Sequence, residues 1–167
     1  FTGASPWSVL AQGISLNLDL SIGTITLLIS IAVLILWIPL GQKPGMGTIF
    51  NALIIALMID LCIKFVPTPS NYIHQIILAI ISVITVGIGG GIYLVSNLGA
   101  GPRDGLMIGL QKISNLPIAV VRGTLEISVV SIGWYLGGTV GLGTLLFAFG
   151  IGPCVALGLY LVDKIFD

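Results

Sequence analysis

Five runs of about twenty apolar residues, at 21–40, 46–66, 73–97, 117–137 and 144–162, leave this chain few ways to fold. Twenty residues of helix rise roughly 30 Å, the thickness of a bilayer's hydrocarbon core. With 56% apolar and 7% charged residues, 167 residues cannot cover five such runs with polar surface, so lipid must do it. The sequence predicts an all-α, multi-pass transmembrane bundle forming a single membrane domain over 1–167. The bilayer is its first partner.

The ends of the runs carry the expected punctuation. Trp37 and Pro39 close the first run, GQKPGMG at 41–47 turns the chain, and Asp60 and Lys64 fall only in the last turns of the second. Pro67 and Pro69 follow. Trp134 and Tyr135 close the fourth run, and Gly150, Gly152 and Pro153 are expected to interrupt the fifth. Two helices too short to span precede the first and fourth runs: one at 7–15, ending in the break Asn17-Leu18-Asp19, and one opened by GAGP at 99–102. In the second, Pro102 suits the first helical position and Asp104 the first turn, and Ser114, Asn115 and Pro117 end it. The count is five spans and two short helices, with Asp163, Lys164 and Asp167 in water.

Sliding the sequence by 96 residues aligns Gly3, Ala4, Pro6, Leu10 and Gly13 with Gly99, Ala100, Pro102, Leu106 and Gly109. The same shift aligns Leu40, Gly41, Gly45, Gly47, Thr48 and Ala52 with Leu136, Gly137, Gly141, Gly143, Thr144 and Ala148. Shared hydrophobicity would not concentrate matches on backbone-shaping residues, so the chain reads as a tandem duplication, with repeat 1 at 1–66 and repeat 2 at 72–167. Repeat 1 lacks a counterpart of the run at 73–97. The first residue is Phe1 and no signal-peptide pattern precedes the first motif, so the start reads as cut, and about 20 to 30 further residues, enough for a sixth span, are expected before it.

If the short helices do not cross, Lys43, Arg103, Lys112 and Lys164 fall on one side of the membrane and Lys64 on the other, so the first side and the C-terminus are cytoplasmic. An odd number of spans per repeat then inverts one repeat relative to the other, the architecture of many secondary transporters.

The chemistry concentrates at 98–126, which holds Arg103, Asp104, Lys112, Arg122 and Glu126. Arg122 and Glu126 are four apart on one helix face, close enough to pair. Counted from Pro117, Glu126 lies roughly 14 Å in, near the midplane of the bilayer, where ionisable groups are costly and face protein or water. Two readings stand: a binding or conduction site, or an intrahelical ion pair that fixes how the short helix docks. Repeat 1 has Trp7, Ser8, Thr26 and Ser30 where repeat 2 has Arg103, Asp104, Arg122 and Glu126, so the fold does without these charges once and function is expected to be asymmetric. Gly101 and Pro102 open a helix whose free N–H groups can receive an anion, and with Arg103 and Arg122 nearby an anionic or zwitterionic solute is expected.

Other classes find little support. The formal net charge is zero and the cations are scattered, so no nucleic acid partner is expected. His74 has no partner at a useful spacing and reads as a surface residue; Cys62 and Cys154 read as small buried hydrophobes. No HExxH, GxSxG or P-loop occurs, so neither an enzyme nor a resident cofactor or metal is expected. The glycines at 87–91 and 133–137 suit close helix packing within the bundle, with a second membrane protein or another copy as the alternative occupant.

The motifs GAGPRDGLMIGL at 99–110, VRGTLE at 121–126, GWYLGGTVGLGT at 133–144 and FAFGIGP at 147–153, with GASPW at 3–7 and PGMGT at 44–48, resemble the YczE/YyaS/YitT group of bacterial membrane proteins, especially its YczE-like branch. The resemblance implies a bacterial inner-membrane protein of about six helices. From the residues, the expected function is a transporter or facilitator of a small anionic or zwitterionic solute; the alternative is a non-transporting accessory subunit of a larger membrane complex.

Overall fold

A computed structural model describes residues 2–67, 69–96 and 98–166, without the side chains of Ala119, Ile165 and Phe166. The expected end of the third run at Asn97 and the placing of Asp167 in water fall outside the described residues. Within them the chain is all-helical: α1 (Pro6–Leu18), α2 (Ile22–Trp37), α3 (Met46–Phe65), α4 (Tyr72–Val95), α5 (Pro102–Ser114), α6 (Ile118–Tyr135) and α7 (Leu142–Phe166). Three of the described helices, α3, α4 and α7, are long and apolar enough to cross a membrane. α1 and α2 pass the same test together but meet at 113°, as a broken span or a re-entrant turn.

The short helices α1 and α5 repeat each other in detail. Each has 13 residues, begins with proline, follows a glycine at positive φ (Gly3 at 83°, Gly99 at 112°) and ends on a left-handed residue, Asp19 or Asn115. Ser5 caps α1 through its side chain, whereas Gly101 leaves the α5 start without a side-chain cap. Ser21 caps α2 and Asn71 caps α4.

Two expectations fail here. The fifth run is not interrupted, because α7 continues through Pro153; proline removes one backbone donor, a loss that membrane helices tolerate where local adjustment re-satisfies the freed carbonyl. Cys62 is exposed on the outer side of α3 rather than buried, while Cys154 is half-buried against Gly87 of α4. The 96-residue shift pairs Cys62 with Gly158 and Cys154 with Met58, so the cysteines are not counterparts, and the difference follows from packing. α4 and α7 approach backbone to backbone, with Gly87 on Cys154, Gly91 on Val155 and Gly158, and Gly158 on Ile88. α3, the counterpart of α7, presents Leu57, Met58 and Leu61 outward.

The core joins the two halves. It gathers Trp7, Val33, Trp37, Leu106 and Val129, with Leu10, Ile29 and Leu125 against them. Val33 and Val129, Leu10 and Leu106, and Ile29 and Leu125 are pairs of equivalent positions, so the repeats bury the same faces on each other. The contacts are crossed: α1 packs on α6 and α5 packs on α2.

Candidate functional site

α5 starts where it does because four groups of other helices take up its leading carbonyls. Gly47 N–H donates to Leu98 O at 2.9 Å, Tyr93 Oη to Gly99 O at 2.6 Å, Thr48 Oγ1 to Ala100 O at 2.7 Å, and Trp37 Nε1 to Pro102 O at 2.9 Å. Buried backbone carbonyls demand partners, so these donors fix the loop as well as the helix. Gly99 must be glycine: its φ is positive, and a Cβ there would press into Gly45 and Thr48 Oγ1. The first half mirrors this arrangement. Gly143 N–H donates to Thr2 O at 2.5 Å, and Gly3, also at positive φ, lies against Gly141 and Thr144 Oγ1.

Of the expected site residues, Gly101 and Pro102 are buried, and Arg103 and Asp104 behind them are half-buried. The Arg103 guanidinium lies over the Trp7 ring, 5.1 Å from its centre. Neither Arg103 nor Asp104 makes a side-chain hydrogen bond or close ion pair among the described residues. Burial pushes the Arg103 guanidinium down to about 10, against the opposing pull of Asp104. It therefore remains a cation at neutral pH. Burial pushes the Asp104 carboxyl up, and the positive charges of Arg122 and Arg103 act against that rise. Gly101 lets two oxygens approach: a Cβ on it would meet Asp104 Oδ2 at 3.0 Å and Asn51 Oδ1 at 3.3 Å.

Arg122 Nε and Glu126 Oε1 are 3.0 Å apart, the i,i+4 pair expected from the sequence. Glu126 is 13% exposed and Arg122 32%, so the carboxylate is the more enclosed partner. At the matching places in α2, Thr26 and Ser30 return their hydroxyls to Ile22 O and Thr26 O at 2.8 and 2.9 Å and are buried. Two self-satisfied hydroxyls thus stand in the first half where a charged pair stands in the second.

Asn51, Tyr93, Thr48, Trp37 and Trp7 complete the surroundings and were not among the expected site residues. A signal for some of them was present: Asn51 and Tyr93 are polar-tipped residues inside apolar runs, and Thr48 belongs to the repeated motif. Elsewhere, His74 is exposed as expected, and no cluster of metal-ligating side chains occurs among the described residues. Gly87, Gly91 and Gly133 are filled by helices of the same chain; Gly89, Gly123 and Gly152 have no neighbour in the space a Cβ would take.

The arrangement offers a cation and a carboxyl with unused hydrogen-bonding capacity beside a second, paired cation and carboxylate. Such a set can receive a small polar molecule with charge of either sign.

Comparison with known proteins finds uncharacterised relatives, one of them named as a membrane protein. The model of a family described as "Family of unknown function (DUF6198)" matches residues 2–159. An "Uncharacterized protein" of Haemophilus influenzae is 43% identical over 163 residues, 98% of this chain and 75% of that protein. "Uncharacterized membrane protein YczE" of Bacillus subtilis is 30% identical over 152 residues, 90% of this chain and 70% of that protein. "Uncharacterized protein YyaS" of the same organism is 28% identical over 149 residues, 86% and 74% of the two chains. No solved structure matches.

Proposed function

The chain belongs to the DUF6198 family of unknown function, and from that premise we propose that it is a transporter or facilitator of a small anionic or zwitterionic solute in the bacterial inner membrane. Its residues Arg103, Asp104, Arg122 and Glu126 hold the solute at the α5 start formed by Gly101 and Pro102. The observation that carries this reading is that Arg103 and Asp104, half-buried and adjacent, make no side-chain hydrogen bond within the described chain. Desolvated charges are expensive unless paired and hydrogen-bonded, so an arrangement that leaves them so suits a ligand that completes it.

The architecture proposed for transport is two inverted repeats. Its support is the reciprocity of contacts: α1 on α6 answers α5 on α2, and Thr2–Gly143 answers Leu98–Gly47. Reciprocal contact between equivalent parts is what a two-fold relation produces. α5 and the C-terminus then face the cytoplasm, following Lys43, Arg103, Lys112 and Lys164.

The test is to extract the full-length protein in mild detergent and determine by mass what stays bound. A small anionic or zwitterionic molecule, retained by the parent and lost from a folded Glu126→Gln or Arg103→Gln variant, supports the reading. A folded Glu126→Gln protein that moves this solute into liposomes at the parent rate overturns the site assignment.

A further inference from the structure

A cavity of about 410 Å³ lies between α1, α4 and α7, against the start of α1. Its wall includes Ser5, Ser8, Gln12, Gln75, Ser82 and Thr139. Ser5 and Ser8 are the counterparts of Gly101 and Asp104, so the cavity lies against the start of α1 as the Arg103–Asp104 cluster lies at the start of α5. Among the described residues no charged side chain lines it.

The hydrogen bonds within the wall leave defined capacity. Thr139 N–H donates to Gln12 Oε1 at 2.9 Å, which commits the carbonyl of that amide and leaves its NH₂. Gln75 does the reverse: its Nε2 donates to Pro69 O at 2.7 Å, leaving its carbonyl oxygen. The Ser5 and Ser8 hydroxyls share one hydrogen bond of 2.7 Å, and Ser82 returns its proton to Leu78 O, so each keeps acceptor capacity. Leu78, Val83 and Phe147 supply an apolar side. The wall also runs deep. Ser82 is ten residues into α4, roughly 15 Å at 1.5 Å per residue, half the thickness of a hydrocarbon core.

We propose that this cavity is a second binding site, taking an uncharged small solute that carries hydroxyl or amide groups on one side and hydrocarbon on the other. Its volume falls in the range of small-molecule sites. An ion entering it would lose water and meet no counter-charge, whereas a hydroxyl or amide finds a donor in Gln12 and acceptors in Gln75 and the serines. The site stands independently of the transport reading, since binding can be measured without flux.

The experiment is saturation-transfer NMR on the full-length protein in lipid nanodiscs, with glycerol, acetamide and myo-inositol as uncharged probes and acetate and ethylammonium as charged ones. At least one uncharged probe should bind, in preference to both ions. Ser8→Leu and Gln75→Leu should each weaken its binding roughly ten-fold, the size expected for losing one or two hydrogen bonds. Ser96→Ala, at the far end of α4, should leave it unchanged. Should Ser8→Leu fail to fold, because Ser8 also binds the cap of α1, Gln75→Leu decides alone. Absence of binding by every uncharged probe, equal binding of the ions, or binding that persists in folded Gln75→Leu overturns the proposal.

Discussion

The Arg103 guanidinium rests over the ring of Trp7, the residue that holds the same place in the first half of the chain. Equivalent residues touch only where the relation between halves brings each position back onto its partner. Trp7 also belongs to the core that Val33 and Val129, another pair of equivalent positions, share. A tryptophan facing an arginine makes that contact chemically one-sided: the first half supplies the π face and the second the charge.

This contact should be worth measurable energy. A cation held over a desolvated indole is stabilised by about 2 kcal/mol, and by about 0.5–1 kcal/mol when exposed. A double-mutant cycle with Trp7→Leu and Arg103→Gln, read from unfolding in detergent, should give a coupling within that range. Additive effects of the two changes would mean that the stack contributes no more than its separate parts.

The glycines that lead into α1 and α5 should be far less replaceable than other turn glycines. Gly3 and Gly99 combine positive φ with close approach to Gly141 and Gly45, while Gly41, also at positive φ, has nothing in the space of a Cβ. Gly41→Ala should therefore cost about 1 kcal/mol of backbone strain, and Gly3→Ala or Gly99→Ala more than about 2 kcal/mol, since neighbouring backbone must also move. Thermal unfolding of the three variants checks the order. Equal losses at all three would show that the docking of the loops on α7 and α3 is not tight.

Stability should respond to pH through Asp104. Its carboxyl is raised by burial in the folded protein, despite Arg122 and Arg103. A group raised on folding favours the folded state below its unfolded pKa, and that contribution is lost as pH rises through the folded value. Asp104→Asn removes the titration. The variant should therefore gain melting temperature relative to the parent at pH 7 and gain less at pH 4. A gain independent of pH would assign the effect to something other than the carboxyl's ionisation.

What the sequence revealed and what it hid divide along local and distant chemistry. Arg122 and Glu126 are four residues apart on one helix, so their pairing could be read directly; Gly3, Pro6, Gly99 and Pro102 announced the like starts of α1 and α5 because backbone-shaping residues tolerate few replacements. Trp7 and Arg103 meet only through the crossed packing of α1 and α5 between halves, and no local pattern announces that. The neutral cavity escaped for the same reason, being assembled from uncharged residues of three distant helices. Pro153 misled because the expectation of a break rests on water-soluble helices. Cys62 misled because in lipid an apolar run need not be buried in protein at all.

The role of Asp60 is the sharpest instance of distant chemistry, and it yields a further prediction. In the sequence it is one charge near the end of an apolar run, suited to a membrane surface. In the fold its carboxylate reaches from α3 to the start of α2, where Oδ2 accepts from Ser21 Oγ at 2.6 Å and Oδ1 from Gly23 N–H at 2.7 Å. The α2 start carries free N–H groups and the positive end of the helix dipole, so a carboxylate there satisfies a donor and meets favourable charge. Gly23 makes the approach possible, since a Cβ would strike Asp60 and Ala56 O. Asp60→Asn retains an acceptor and should cost about 1 kcal/mol, whereas Asp60→Leu strands the donors and should cost about 2–3 kcal/mol. Gly23→Ala should resemble the leucine variant, because it displaces the carboxylate without altering it. Unfolding titrations of the three variants distinguish this from a surface role, in which Asp60→Leu would be tolerated and Gly23→Ala would have no connection to it.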